Sequence, residues 1–103
     1  MVGYDWDGTA SEGWLSKDGI IITNRPKSDP IKLPKGYEDV PIIYNPDSST
    51  DPIRAGVFKA KKSKELGVTT YYDDDPTVVK VMKAFDPKMT MYLVKGNTKK
   101  EVK

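Results

Sequence analysis

The chain has 103 residues, a formal charge of +2, 37% hydrophobic residues and 31% charged ones. That suits one polar globular domain, and so small a net charge gives no reason to expect a nucleic-acid partner. Cysteine and histidine are both absent, which excludes disulfides, thiolate and imidazole metal sites and histidine-based catalysis, leaving carboxylates, lysines, hydroxyls and backbone groups, with or without a hard cation.

In chain order, five short apolar runs bounded by turn residues read as strands: "MVGY" (1–4), "GIIIT" (19–23), "VPIIYN" (40–45), "VTTYY" (68–72) and "MTMYLV" (89–94). Their β-branched and aromatic character and their length favour strands over helices. The unbroken run in "GIIIT" fits a strand covered on both faces, as in a parallel sheet. The connections 6–18 and 24–39 are rich in Gly, Ser, Asp and Pro and show no helical period, yet are about long enough for parallel crossovers. Residues 52–66, ending before Gly67, read as a helix with Phe58 and Leu66 on its apolar face and lysines opposite. Residues 76–86 read as a second helix, with Asp75 as N-cap, Pro76 in the first turn, and Val78, Val81, Met82 and Phe85 on one face. The pattern predicts one domain over 1–95 with an open, mainly parallel five-stranded α/β sheet, and a basic, soluble tail over 96–103. No apolar run approaches the roughly 20 residues of a membrane span, and no signal peptide is visible, so a cytoplasmic protein is expected.

Ligands of an open parallel sheet bind beyond the carboxyl ends of the strands. Asp5 and Asp7 follow the first strand. Thr23, Asn24 and Arg25 end the second. Asn45, Asp47, Ser48, Ser49 and Thr50 follow the third, and Asp73, Asp74 and Asp75 the fourth. Lys59, in the helix that leads to the fourth strand, can reach the same rim. Several carboxylates together need a cation, and an all-oxygen set selects a hard one, Mg²⁺ first. Carboxylates, a hydroxyl and a lysine around such an ion make a site suited to phosphoryl transfer.

These residues carry a family resemblance. "DWDGT" after a leading strand resembles the first motif of the haloacid dehalogenase superfamily, "IIITNRP" its second, and "FKAKKSKELGVTTYYDDDP" its third and fourth, in the family's order over roughly residues 1–95. The resemblance implies a Rossmann-like sheet and a Mg²⁺-dependent phosphatase working through an aspartyl-phosphate. By it, Asp5 is the nucleophile and Asp7 the general acid/base, whose carbonyl also holds Mg²⁺. Gly8 and Thr9 shape the turn and offer amides to phosphoryl oxygens. Thr23, with Asn24 and Arg25 beside it, binds phosphate; Arg25 can instead pair with an acid. Lys59, with Lys62 next in order, stabilises charge, and Asp73 and Asp74 complete the Mg²⁺ shell. Only seventeen residues separate Asp5 from Thr23, which leaves no room for a cap domain. The chain is similar to pared-down, capless members of the phage type, with an open rim suited to a nucleotide, a nucleic-acid end or a phosphoprotein; a second copy of a homo-oligomer could supply a cap.

Other readings compete. An EF-hand loop starting at Asp5 would need a bidentate Glu at its twelfth position, and that residue is Ser16. Asp75 reads as a helix cap rather than a ligand. Trp6 lines the pocket or packs; Trp14, Tyr37 and Tyr44 read as core or loop anchors. A receiver-type signalling domain would place its acid pair earlier and its lysine last. A catalytically degenerate relative that binds metal or a partner remains the alternative to an enzyme.

Overall fold

The structure is a computed structural model describing residues 1–47 and 49–103; Ser48, grouped above with the polar residues after the third strand, lies outside the described residues. In chain order the elements are β1 (Val2–Tyr4), a 3₁₀ turn (Ala10–Glu12), β2 (Ile20–Thr23), β3 (Ile42–Tyr44), α1 (Pro52–Leu66), β4 (Thr70–Asp73), α2 (Pro76–Phe85), β5 (Thr90–Lys95) and β6 (Thr98–Val102). One mixed sheet runs β3-β2-β1-β4-β5-β6. Its first five strands are parallel neighbours and β6 pairs antiparallel with β5. The sheet thus has six strands, not the five expected, and the residues read as a soluble tail supply the sixth. Gly96, at φ 59°, and Asn97 make a two-residue turn between the paired Lys95 and Thr98, a turn whose backbone needs positive φ.

Strand order decides what covers each face. From β1 the chain steps outward to β2 and β3, then crosses back to β4 and steps the other way to β5. Right-handed crossovers place the first two connections on one face of such a sheet and the last two on the other. On the helical face, α1 and α2 pack together over Ile20, Ile22, Tyr71 and Met91. Asp51 caps α1 by accepting from the Ile53 amide, and Asp75 caps α2 by accepting from the amides of Thr77 and Val78. The α2 face is centred on Val78, Val79 and Met82, which leaves Phe85 at its margin, 42% exposed, rather than in the expected apolar stripe. The helices meet at Gly56, where an added Cβ would lie 2.8 Å from the Val81 Cβ.

The opposite face has the connections 6–18 and 24–39 in place of helices. They fold Leu15, Ile31 and Val40 onto Tyr4 and Ile21, with Trp6, Trp14, Tyr37 and Tyr44 packed around them. The Tyr44 hydroxyl accepts from the Ile31 amide at 3.0 Å, and the Trp14 indole donates to the Gly96 carbonyl at 2.8 Å. Ile20 and Ile22 face the helices and Ile21 faces the loops, all three buried, so the continuous apolar run is a strand covered on both sides.

Gly56→Ala adds a favourable helical residue but no space for its methyl. A loss of about 1–3 kcal/mol is expected in urea unfolding, instead of the gain that Gly→Ala brings at an open helix site.

Candidate functional site

Register makes the site. Tyr4 and Tyr72 are paired residues of β1 and β4, so Asp5 and Asp73 emerge side by side at the carboxyl ends of two central strands. Lys59, in the middle of α1, is only 3% exposed. Its ammonium donates to Asp5 Oδ1 at 2.9 Å and to Asp73 Oδ2 at 2.8 Å. Lys62, the other candidate, lies on the outer side of α1 and pairs with Glu65 at 3.4 Å. Asp73 uses its second oxygen to accept from the Asp75 amide at 3.0 Å. Asp5 Oδ2 accepts from the Thr9 hydroxyl at 3.5 Å and has the Asp74 carboxyl beside it, so one Asp5 oxygen is held by the ammonium and the other has no such strong donor among the described residues.

The turn after β1 is fixed by its own backbone. The Ala10 amide donates to the Asp5 carbonyl, and those of Thr9 and Ser11 to the Trp6 carbonyl. Gly8 has φ 78°, and a Cβ there would meet Asp74 Oδ2 at 2.1 Å; only glycine lets the turn close against that acid. The Gly8 amide donates to Ser11 Oγ. The two amides expected to reach phosphoryl oxygens, those of Gly8 and Thr9, are therefore used inside the turn. Those of Trp6 and Asp7 find no acceptor among the described residues. Sequence alone offered no signal for this, because which amides stay free follows from the turn's internal bonds.

The remaining expected residues form a second group. The Asp7 carboxylate, 67% exposed, pairs with Arg25 at 2.7 Å and stays outside the Asp5 cluster; Asp29 approaches the same guanidinium at 3.6 Å. Thr23 is buried, and its hydroxyl accepts from the Arg25 amide at 3.1 Å, not from a partner in the cluster. Asn24 donates to the Ser49 carbonyl and accepts from the side chain of buried Asn45, whose amide reaches the Arg25 carbonyl at 3.3 Å. Asn45 thus clamps the Thr23–Asn24–Arg25 turn, a role that sequence reasoning missed. Asp75 is the helix cap expected, and Asp47 leans toward Arg54 at 3.6 Å.

Burial dominates the electrostatics. It pushes the Asp5 carboxyl up to about 6 against the opposing pull of Lys59, with Asp74 adding to the rise. Asp73 is likewise pushed up to about 6, by burial first, with Lys59 opposing and Asp5 adding. Asp74 is raised too, chiefly by burial. Burial works against the Lys59 ammonium, yet the neighbouring Tyr71, Asp73 and Asp5 hold its pKa well above the ordinary lysine value.

Three carboxylates against one ammonium leave two negative charges when all are ionised. One oxygen from each of Asp5, Asp73 and Asp74 lies within 4.8 Å of the others, close enough that a small movement would bring all three onto one ion. An all-oxygen set of this charge could hold a hard divalent ion, and the Asp7 carboxylate is not part of it. Comparison with protein-family models, curated proteins and solved structures finds no match to this chain. Among the described residues no helix is long and apolar enough to cross a membrane.

A raised folded-state carboxyl pKa contributes stability that is full below the unfolded value and is lost as pH rises through the folded one. For Asp5 and Asp73 that window runs from about 4 to about 6. In chelator-treated protein, wild-type stability measured by urea unfolding should fall relative to Asp73→Asn between pH 5 and 7.5, by on the order of 1–3 kcal/mol. Parallel pH profiles would show that these acids are not strained. MgCl₂ should raise the wild-type melting temperature more at pH 7.5 than at pH 5, since protons compete for the same oxygens.

Proposed function

We propose that the protein is a compact, capless phosphatase of the haloacid dehalogenase type, cytoplasmic and Mg²⁺-dependent, that hydrolyses phosphomonoesters through an aspartyl-phosphate on Asp5. The observation that carries this reading is the buried Lys59 ammonium, which holds Asp5 Oδ1 and leaves Oδ2 open beside Asp73 and Asp74. The strand order gives secondary support, since β3-β2-β1-β4-β5 is the order of the parallel strands in a Rossmann-like sheet. Asp5 and Asp73 then stand at the strand ends where such folds bind ligands.

Mg²⁺ held by Asp5, Asp73, Asp74 and the Asp7 carbonyl would offset the charge of the carboxylates and phosphoryl oxygens. Asp5 Oδ2 attacks phosphorus, and the bond to the leaving oxygen breaks as Asp7 delivers a proton to that oxygen. Asp7 then takes a proton from water, whose oxygen attacks phosphorus and returns the Asp5 carboxylate with release of phosphate. Lys59 stabilises the negative charge that collects on Asp5 and the transferring group. The free amides of Trp6 and Asp7 would bind phosphoryl oxygens, and Thr23 and Arg25 would complete that contact. For the proton steps Asp7 has to swing from Arg25 toward Asp5. That pairing is also the observation favouring a second reading, a catalytically degenerate relative that binds a metal or a partner. The open rim accepts a nucleotide, a nucleic-acid end or a phosphoprotein.

Turnover of p-nitrophenyl phosphate and of a nucleotide panel with MgCl₂ tests the reading. Asp5→Asn should lower kcat by at least about 10³-fold and Asp7→Asn by about 10²–10⁴-fold. Equal turnover by wild type and Asp5→Asn would remove the aspartyl-phosphate route. Beryllofluoride bonded to Asp5 would weaken the binding-module reading sharply, and a protein with neither turnover nor that adduct would favour it.

A further inference from the structure

The two edges of the sheet are built differently. At one end, β6 carries Lys99 and Lys100 on an exposed strand, a charged edge that discourages further pairing. At the other end, β3 is Ile42-Ile43-Tyr44, half-buried and without charge. In its ladder with β2, the Pro41 carbonyl accepts from the Ile21 amide at 2.9 Å, and the register is Ile21↔Ile42, Ile22↔Ile43, Thr23↔Tyr44. Parallel pairing alternates inward and outward groups along a strand. The N–H and C=O of Ile42 and Tyr44 therefore point away from the sheet. Pro41 and Pro46 bracket the strand, so the free edge is short and its register fixed.

Two cavities adjoin this edge and share Asn45 and Pro46 at the C-terminal end of β3. One, of about 420 Å³, runs from Asn45 and Pro46 to Ile53, Val57 and Phe58 of α1, with Arg54 and Lys61 on its wall. The other, of about 450 Å³, is lined by Ile42, Ile43, Tyr44 and Lys27. Ile53 is 56% exposed, unusual for so large an apolar side chain. Successive side chains of a strand laid along β3 alternate between the two faces of the sheet, while its backbone meets the outward groups of Ile42 and Tyr44 and its C-terminal end reaches the cavity beside α1.

Charge selects the occupant. Lys27, Arg54 and Lys61 stand around the cavities against Asp47 alone. A second copy of the chain, paired edge to edge by a two-fold axis, would bring two such basic rims together. A strand with acidic ends would neutralise one. We infer that the β3 edge is a docking site for an extended segment of a partner protein, apolar at alternate positions and acidic at its ends, bound by strand addition. This surface shares Asn45 with the clamp of the Thr23–Arg25 turn but none of the carboxylates of the Asp5 cluster, and its test does not depend on the phosphatase reading.

The test uses the ¹⁵N-labelled full chain and two synthetic eight-residue peptides with the same alternating Val/Thr core. One peptide ends in aspartate and glutamate, the other in lysine. The acid-ended peptide should slow amide exchange of Ile42 and Tyr44 by about tenfold or more at saturation. The lysine-ended peptide should bind at least about fivefold more weakly at low salt, and the double variant Arg54→Glu, Lys61→Glu should reverse that order. Ile53→Lys, at a 56% exposed position of the cavity wall, should weaken both without changing the melting temperature by more than a few degrees. The inference is overturned if neither peptide protects those amides at millimolar concentration, or if both bind alike. Protection that grows with protein concentration in the absence of peptide would assign the edge to a second copy instead, and would equally overturn it.

Discussion

One buried ammonium organises this protein. Lys59 enters the sheet face from α1 and meets carboxylates from two different strands. Taking such ions out of water costs several kcal/mol each, and well-packed apolar residues of the same volume usually serve stability as well or better. A buried triad is therefore weak ground for a structural role and better ground for chemistry, because perturbed carboxyls in a cluster are what reacting sites require. The triad also fixes geometry. Asp73 uses both oxygens, on Lys59 and on the cap turn of α2. Asp5 is committed through one oxygen alone. The same ammonium thus immobilises one acid and leaves the other half-free.

The two faces of the sheet solve burial by different means. On the helical side, ordinary side-chain packing of α1 on α2 closes the core around Gly56. On the loop side no helix is present, and aromatic rings do the covering. Tyr4, Tyr72 and Tyr92 stack across neighbouring strands at 5.1 and 4.9 Å, Trp14 leans on Tyr72, and Lys99 of β6 lies over Tyr92 at 4.6 Å. Such a row resembles a stacking platform for bases, yet its ring faces are already taken by one another and by the lysine. It closes the fold and carries no argument for nucleic acid. It also explains why the C-terminal lysines are not a tail: Lys99 needs a strand beside β5 to reach those rings.

What was legible in the sequence was whatever local chemistry decides. Asp75-Pro76 and Gly67 fixed helix ends because capping is a contact between near neighbours, and "GIIIT" announced a doubly covered strand by lacking alternation. That Asp5, Asp73 and Asp74 meet was readable because strand order brings strand ends together, and Lys59 joins them from α1. The missed features depend on long-range or internal bonding. β6 was hidden by a lysine-rich composition, although Gly96-Asn97 between two strand-like runs was a hairpin signal. The Asn45 clamp and the free amides of Trp6 and Asp7 follow from how two turns bond internally and to each other. Phe85 was misjudged because α2 has to satisfy both α1 and the sheet, which turns its buried arc toward Val79.

The sharpest contrast in the molecule lies within one turn. Asp5 and Asp7 are two residues apart, but Asp5 is buried with its carboxyl pushed to about 6, while Asp7 stands in solvent against Arg25. Distinct environments for two nearby acids are the physical means by which one site assigns one to bonding and the other to proton transfer. The Arg25 contact does not lock that arrangement. An exposed ion pair is worth about 0–1 kcal/mol, and Asp29 already stands at 3.6 Å to take over the guanidinium. Releasing Asp7 is therefore cheap beside a typical chemical barrier. The larger demand on so small a frame is to keep Asp5 dry. Tyr71 under Lys59, its hydroxyl donating to the Ile22 carbonyl at 2.6 Å, and the turn closed over Gly8 meet that demand from below and from one side. On the proposed phosphatase reading, the rim above would be closed by whatever carries the phosphate.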